Sequence, residues 1–432
     1  MSESTRREER SESRGLRRLR GGYVGAAIFL LNVVVLFVLA NLVLWPFARS
    51  RDPEGVRLPI IERYGMEKLG EVYAPLSPKE IEALLRETWS RPYAYEPFTQ
   101  FKERPHGGKF VNVSEHGFRV GAGQGPWPPD PNVTNVFLFG GSTAFGYGVA
   151  DGDTIGSHLQ RALDGRGGRT VRVYNFGRGH YYSSQERVLF ERLLAAGSAP
   201  QIAIFLDGLN EFFYSDDEPL YTGLLARVMD GTEPPPPTWI DRLPLVRAAR
   251  RLLGEPAAPS PAPAKHADEA EVSRRVVDRY LGNRAGIEAV ARSAGVVPVF
   301  VWQPVPMYGW DDGHHLFRGN GYGGDHRHAA AGYAYLRKLL EEKPLPPSFL
   351  WLAELQRGRA EPLYVDQVHY TAAFSRDLAN AIAAEIEAIG LLPGARSSAP
   401  VGALPGAVDL DPADVRPSPS AAREPAVESG LD

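Results

Sequence analysis

Cysteine is absent from this 432-residue chain, which excludes disulfides, thiolate metal sites and a cysteine nucleophile together. An excess of positive charge is absent as well. The formal net charge is −4, so no global basic field points to nucleic acid, and no nucleic-acid partner is expected. There is no internal repeat. What is present is an ordinary globular balance, 43% hydrophobic and 23% charged, in a length that suits two or three domains, or one enlarged α/β domain with tails.

One stretch stands apart. From Tyr23 to Phe47 the chain reads YVGAAIFLLNVVVLFVLANLVLWPF, without a charge. A helix of roughly 20 apolar residues crosses a bilayer core, and Tyr23 and Trp45 sit where amphipathic rings favour the interface. Arg6, Arg7, Arg10, Arg14, Arg17, Arg18 and Arg20 precede the run; only Arg49 and Arg51 closely follow it. The positive-inside rule then places the N-terminus in the cytoplasm and the remainder on the periplasmic, extracytoplasmic side of the inner membrane. The rival is a cleaved signal peptide ending at Val38-Leu39-Ala40, but the apolar run continues well past Ala40.

The expected organisation is a charged, disordered segment over 1–20, a transmembrane helix over 21–47 and a lead-in over 48–107. A main domain over 108–393 follows, then a Pro-, Ala- and Ser-rich disordered tail over 394–432. In the lead-in, Ser77 heads a short helix to Trp89 as its N-cap. Residues 216–268, with PPPP at 234–237, read as an insertion. In the main domain, apolar runs at Asn135–Phe139, Val171–Tyr174, Ile202–Leu206 and Val296–Trp302 alternate with helical stretches. Asp153 opens one helix, Ser183-Ser184-Gln185-Glu186 forms a capping box for a second, Val272–Ala294 makes a third and Thr371–Ile389 a last. Alternating strands and helices predict a three-layer α/β/α sandwich around a parallel sheet. In such sheets ligands lie beyond the carboxyl ends of the strands.

Each strand end carries something reactive or permissive. Gly140-Gly141-Ser142-Thr143 follows the first strand, where a tight turn can lift a hydroxyl above the sheet. Asn175-Phe-Gly177-Arg-Gly179-His180 follows the second and leads into a helix N-terminus rich in free N–H groups. Gly208-Leu-Asn210-Glu211 follows the third, and an asparagine amide can donate to a developing oxyanion. Near the C-terminus, Asp366-Gln-Val-His369 offers a base near neutral pKa with an acceptor to orient it. Singly these patterns are commonplace; their order along one α/β pattern gives them weight.

In that order the sequence resembles the SGNH hydrolases, the broader group of the GDSL esterases and lipases, as a membrane-anchored bacterial member. F-G-G-S-T around Ser142 is similar to the first block, with Gly141 where many members have Asp. G-L-N-E at 208–211 is similar to the third, with Asn210 matching, and D-Q-V-H to the last, with Asp366 and His369 matching. The second block departs: His180, or Gly179, falls where the family has its oxyanion glycine. Val111–Arg119 resembles the entry segment of bacterial members. The resemblance implies the SGNH (flavodoxin-like) fold and acyl transfer through Ser142, with His369 as base and Asp366 orienting it. It also implies an oxyanion hole from the Ser142 and Gly179 or His180 N–H groups and the Asn210 amide, without metal or cofactor.

The expected substrate is an acylated carbohydrate, most simply an O-acetylated cell-envelope or exported polysaccharide, handled with envelope-assembly partner proteins. An O-acyltransferase using the same triad and a non-catalytic binding protein of the same fold are the alternatives. Trp302, Tyr308, His315 and His326 are candidates to contact sugar, against core packing for Trp302. The histidines at 314, 315, 326 and 328 read as a cleft wall in preference to a metal site.

Overall fold

A computed structural model describes residues 3–49, 58–232, 243–246, 249, 268–318 and 326–391. The expected tail over 394–432, the PPPP run and residues 319–325 of the histidine-rich loop lie outside them.

Residues Glu3–Arg49 form one helix, which corrects the expectation of disorder over 1–20. Glu and Arg are good helix formers. Once an apolar helix is nucleated, extending it costs little. Within it, Gly22–Trp45 has a mean hydropathy of 2.8 and is long and apolar enough to cross a membrane.

The lead-in contains helices Pro59–Tyr64, Met66–Tyr73 and Pro78–Trp89. Ser77 caps the last as expected, accepting from the Glu80 N–H while Glu80 accepts from the Ser77 N–H. Strands β1 (Tyr93–Glu96) and β2 (Gln100–Glu103) follow as an antiparallel hairpin, then β3 (His106–Gly107) and β4 (Asn112–Val113) as a second.

The central sheet comprises β5 (Thr134–Gly140), β6 (Val171–Asn175), β7 (Ile202–Asp207), β8 (Val297–Trp302) and β9 (Phe349–Trp351). Their order is β6-β5-β7-β8-β9, all parallel. Successive side chains of a strand face opposite layers, and the core divides accordingly. Val136, Leu138, Ile202, Ile204, Val299 and Val301 pack against helices Ile155–Leu163 and Ala372–Ala388. On the other face Phe137, Phe139, Ala203, Phe205 and Phe300 pack against helices Ser183–Ala195 and Glu269–Ser293. The result is the expected three-layer sandwich. Strand β9 and helix Ala329–Glu342 escaped the sequence reading, the strand because three residues carry no visible alternation.

The lead-in belongs to this core. Phe101, 1% exposed, belongs to the same buried cluster as Phe139 and Phe205 and meets Tyr181 and Tyr221 edge-on, and burying one such ring contributes about 2–3 kcal/mol. Leu69, Tyr73, Ile81, Leu84 and Leu85 pack against Val365 and Phe317, so the lead-in helices brace the loop that carries Asp366 and His369.

Helix Ser183–Ala195 lacks the expected capping box. Tyr182 is its N-cap without a side-chain hydrogen bond. The Ser183 N–H donates instead to Glu211 Oε1 at 2.7 Å, a carboxylate favoured beside a helix N-terminus. Glu186 is buried; burial foremost, then the nearby Asp207 and Glu211 carboxylates, pushes its carboxyl well above the usual range.

Candidate active site

Ser142 starts the short helix Ser142–Phe145 directly beyond β5. Arg119, from the segment singled out as an entry motif, is fully buried and donates to the carbonyls of Phe145, Gly146 and Val149, with Asp151 as its ion partner. Loop carbonyls at the end of the serine helix are thereby satisfied. A Cβ on Gly141 would lie 2.3 Å from Asn210 Nδ2 and 2.9 Å from the Tyr181 carbonyl. The family's common aspartate has no room there.

The loop from Leu363 to Thr371 folds back on itself through Val365 N–H to the His369 carbonyl and Thr371 N–H to the Leu363 carbonyl, 2.8 and 2.9 Å. The turn brings Asp366 under His369. Asp366 Oδ1 accepts from the Val368 and His369 N–H groups at 2.9 and 2.8 Å, and Oδ2 lies 2.7 Å from His369 Nδ1. His369 Nε2 lies 2.8 Å from Ser142 Oγ. Burial works to raise the Asp366 carboxyl, but the His369 imidazole and the two backbone donors hold it below the ordinary range. An ionised acceptor at Oδ2 favours the proton on Nδ1, which leaves Nε2 free to accept from the serine hydroxyl.

Asn210 follows β7 in the helix Leu209–Phe213. One N–H of its amide donates to the Tyr181 carbonyl at 2.7 Å, and the side chain lines the cleft above Ser142. In the loop after β6, the two candidate oxyanion donors behave differently. The Gly179 N–H donates to Glu103 Oε1 at 2.9 Å. The His180 N–H has no acceptor among the described residues, and His180 has φ 64, the left-handed region that favours glycine. Burial, then the charge of His369, pushes the His180 imidazole down to about 4.

These groups border a cleft of about 320 Å³. Of the four sugar-contact candidates, only His326 lines it. Trp302 is fully buried, packed on Tyr280 and Tyr333, because the last residue of β8 points into the layer beneath. Tyr308 packs on Tyr333 and Trp351 away from the cleft. His315 is buried against Trp310 and Tyr364, with Nε2 3.1 Å from the Gln367 carbonyl. It braces the Asp366–His369 loop from behind. Burial lowers its imidazole, partly countered by the Gln367 carbonyl.

The other walls come from residues not singled out in the sequence. Tyr147 stacks on the His369 ring and Trp89 meets it edge-on. Arg91 and Tyr93 come from the lead-in, Phe213 from beside Asn210. The aromatic density of the stretch from Trp89 to Phe101 was visible, but no local pattern tied it to Ser142.

The fold and the site define a class: a three-layer α/β/α protein with a Ser–His–Asp relay at the carboxyl end of its sheet. No family model and no curated protein matches the chain. Solved structures similar to it include a carbohydrate acetylesterase from Sinorhizobium meliloti, 13% identical, covering 59% of this chain and 99% of that one, with a TM-score of 0.34. A member of the lipolytic protein G-D-S-L family from Veillonella parvula is 11% identical over 59% of this chain and 97% of its own, with a TM-score of 0.30. A lipase from a goat rumen metagenome is 10% identical over 58% and 97%, with a TM-score of 0.35.

Proposed function

We propose that the protein is an extracytoplasmic serine esterase that removes short acyl groups, most simply O-acetyl, from a cell-envelope or exported polysaccharide. The observation that carries the reading is the continuous relay from Asp366 Oδ2 through His369 to Ser142 Oγ, at 2.7 and 2.8 Å. Ser142 Oγ attacks the ester carbonyl as His369 Nε2 takes its proton. The carbonyl oxygen becomes an oxyanion, held by the Ser142 N–H, the Asn210 amide and an N–H of the loop after β6. Collapse expels the sugar alkoxide, which takes the proton from the imidazolium. Water then attacks the acyl-enzyme as His369 takes its proton; the bond to Ser142 Oγ breaks, Oγ takes that proton back, and the carboxylic acid departs.

A cleft of about 320 Å³ is at the lower end of small-molecule sites, a volume suited to a short acyl group and one sugar unit. The extracytoplasmic setting is supported by the Gly22–Trp45 span and the arginines before it.

The test is hydrolysis of p-nitrophenyl acetate by the full chain in detergent, beside Ser142→Ala. A loss of at least ~10³-fold in the variant is expected; equal rates from two folded proteins would sink the esterase reading. Added O-acceptor oligosaccharides then separate water from a sugar hydroxyl as the second nucleophile.

A further inference from the structure

Glu103 ends β2, outside the central sheet, and is 1% exposed. Its carboxylate reaches the site twice. Oε1 accepts from the Gly179 N–H at 2.9 Å and from the Tyr147 hydroxyl at 3.2 Å, and Tyr147 is the ring stacked on His369. Oε2 faces the Arg91 guanidinium at 3.1 Å, which offsets the burial of the charge. Gly179 is pressed against the same cluster: a Cβ there would lie 2.4 Å from the Tyr93 hydroxyl and 2.7 Å from that of Tyr147. Immediately after Gly179 the backbone turns left-handed at His180, whose N–H has no acceptor among the described residues.

Resting on the esterase reading, we propose that Glu103 is a positioning residue that decides which N–H of the loop after β6 serves the oxyanion. By taking the Gly179 N–H, it turns that donor away from the cleft and leaves the His180 N–H to join those of Ser142 and Asn210. Through Tyr147 the same carboxylate sets the plane of the His369 imidazole. The lead-in hairpin therefore carries part of the catalytic geometry. His180 holds the left-handed conformation because Glu103 anchors the residue before it.

A bland reading exists in which Glu103 merely neutralises Arg91, and substitutions separate the two. Glu103→Gln keeps an acceptor oxygen of the same reach for Gly179 and Tyr147 but loses the charge. Glu103→Asp keeps the charge but withdraws the acceptor by one methylene. Misplacing one oxyanion donor costs up to ~10²–10³ in kcat. With the full chain in detergent and p-nitrophenyl acetate, kcat of Glu103→Asp is expected to fall about 10- to 100-fold with KM changed less than about threefold. Phosphonylation of Ser142 by a fluorophosphonate should slow in parallel, while Glu103→Gln keeps at least about a third of kcat. Equal kcat in the two variants, Gln falling below Asp, or a change confined to KM would overturn the inference while leaving the esterase reading standing. A wild-type chain that neither hydrolyses the ester nor takes the phosphonate would overturn both.

Discussion

Tyr147 stacks on His369 with ring centroids 5.6 Å apart and planes 24° apart. Offset stacking of this kind is worth about 0.5–1.5 kcal/mol beyond area burial, enough to hold an imidazole in one orientation. Burial foremost, then the charge of Glu103, pushes the Tyr147 phenol well above its ordinary range, so the ring stays neutral. Tyr147→Ala is expected to lower kcat about 10- to 100-fold with little change in KM, and Tyr147→Phe, which keeps the ring, to lose less than about tenfold. Steady-state kinetics check it; Ala and Phe variants of equal rate would remove Tyr147 from the account.

Asp366 accepts two backbone N–H groups besides the imidazole, so Asp366→Asn keeps the side chain's shape while losing its charge. The amide favours the wrong tautomer of His369, and kcat is expected to fall about 10⁴-fold. A loss under tenfold would mean that Asp366 does not orient the base.

Restoring the Asp common in the resembling family at Gly141 should harm the enzyme. The new Cβ meets the Asn210 amide and the Tyr181 carbonyl; one is a proposed oxyanion donor, the other the acceptor that orients it. Gly141→Asp is expected to cost about 1–3 kcal/mol of stability from overpacking and at least about 10²-fold in kcat. Thermal melts and ester hydrolysis measure the two losses, and a fully active, equally stable variant would contradict this packing.

His180 supplies a pH signature of stability. Its folded pKa, about 4, lies below the ordinary 6.5, so between these values the unfolded chain binds more protons than the folded one. The contribution is complete above pH 6.5 and is lost as pH falls toward 4, at most about 3 kcal/mol and less at a cleft open to solvent. His180→Asn does not titrate and tolerates φ 64. Urea unfolding from pH 7 to 4.5 should therefore show a shallower loss in the variant. Parallel curves would show that His180 titrates as in the unfolded chain.

Of the fold, the sheet and its flanking helices were legible because burial on both faces leaves unbroken apolar runs, as at Ile202–Leu206, separated by amphipathic helices. Ser142 and Asn210 were legible because strand ends concentrate ligand-binding residues, and Asp366 and His369 because an Asp and a His three apart near the C-terminus completed the order of the blocks. Glu103 was not. Its contact with Gly179 spans 76 positions, and a lone Glu on a short hairpin has no pattern that announces a partner. Trp302 misled for a related reason: position at a strand end was visible, but the face to which the side chain points was not. The proposed boundary at 108 separated the lead-in from residues it packs against.

That boundary yields a further expectation. A chain starting at residue 108 loses Phe101 from beside Tyr181 and Tyr221, and Leu69 and Leu84 from the cluster they share with Val365. At about 2–3 kcal/mol per side chain, the loss of these three alone is comparable to the ~5–15 kcal/mol by which a domain is usually stable. Such a chain should fail to give a cooperative melt, whereas one starting at Leu58 should melt as a unit. Identical melts from both would show that the lead-in is dispensable.

The order of elements also sets a radius of action. Only residues 50–57 separate the end of the long apolar helix at Arg49 from Leu58, the first lead-in residue in the packed core. Fully drawn out, they reach about 30 Å. With Gly22–Trp45 seated in a bilayer, that reach caps the distance between the membrane and Leu58 at about the thickness of the membrane itself. On the proposed function, a polymer would have to come to the site, and only the stretch passing within that shallow layer would be open to editing.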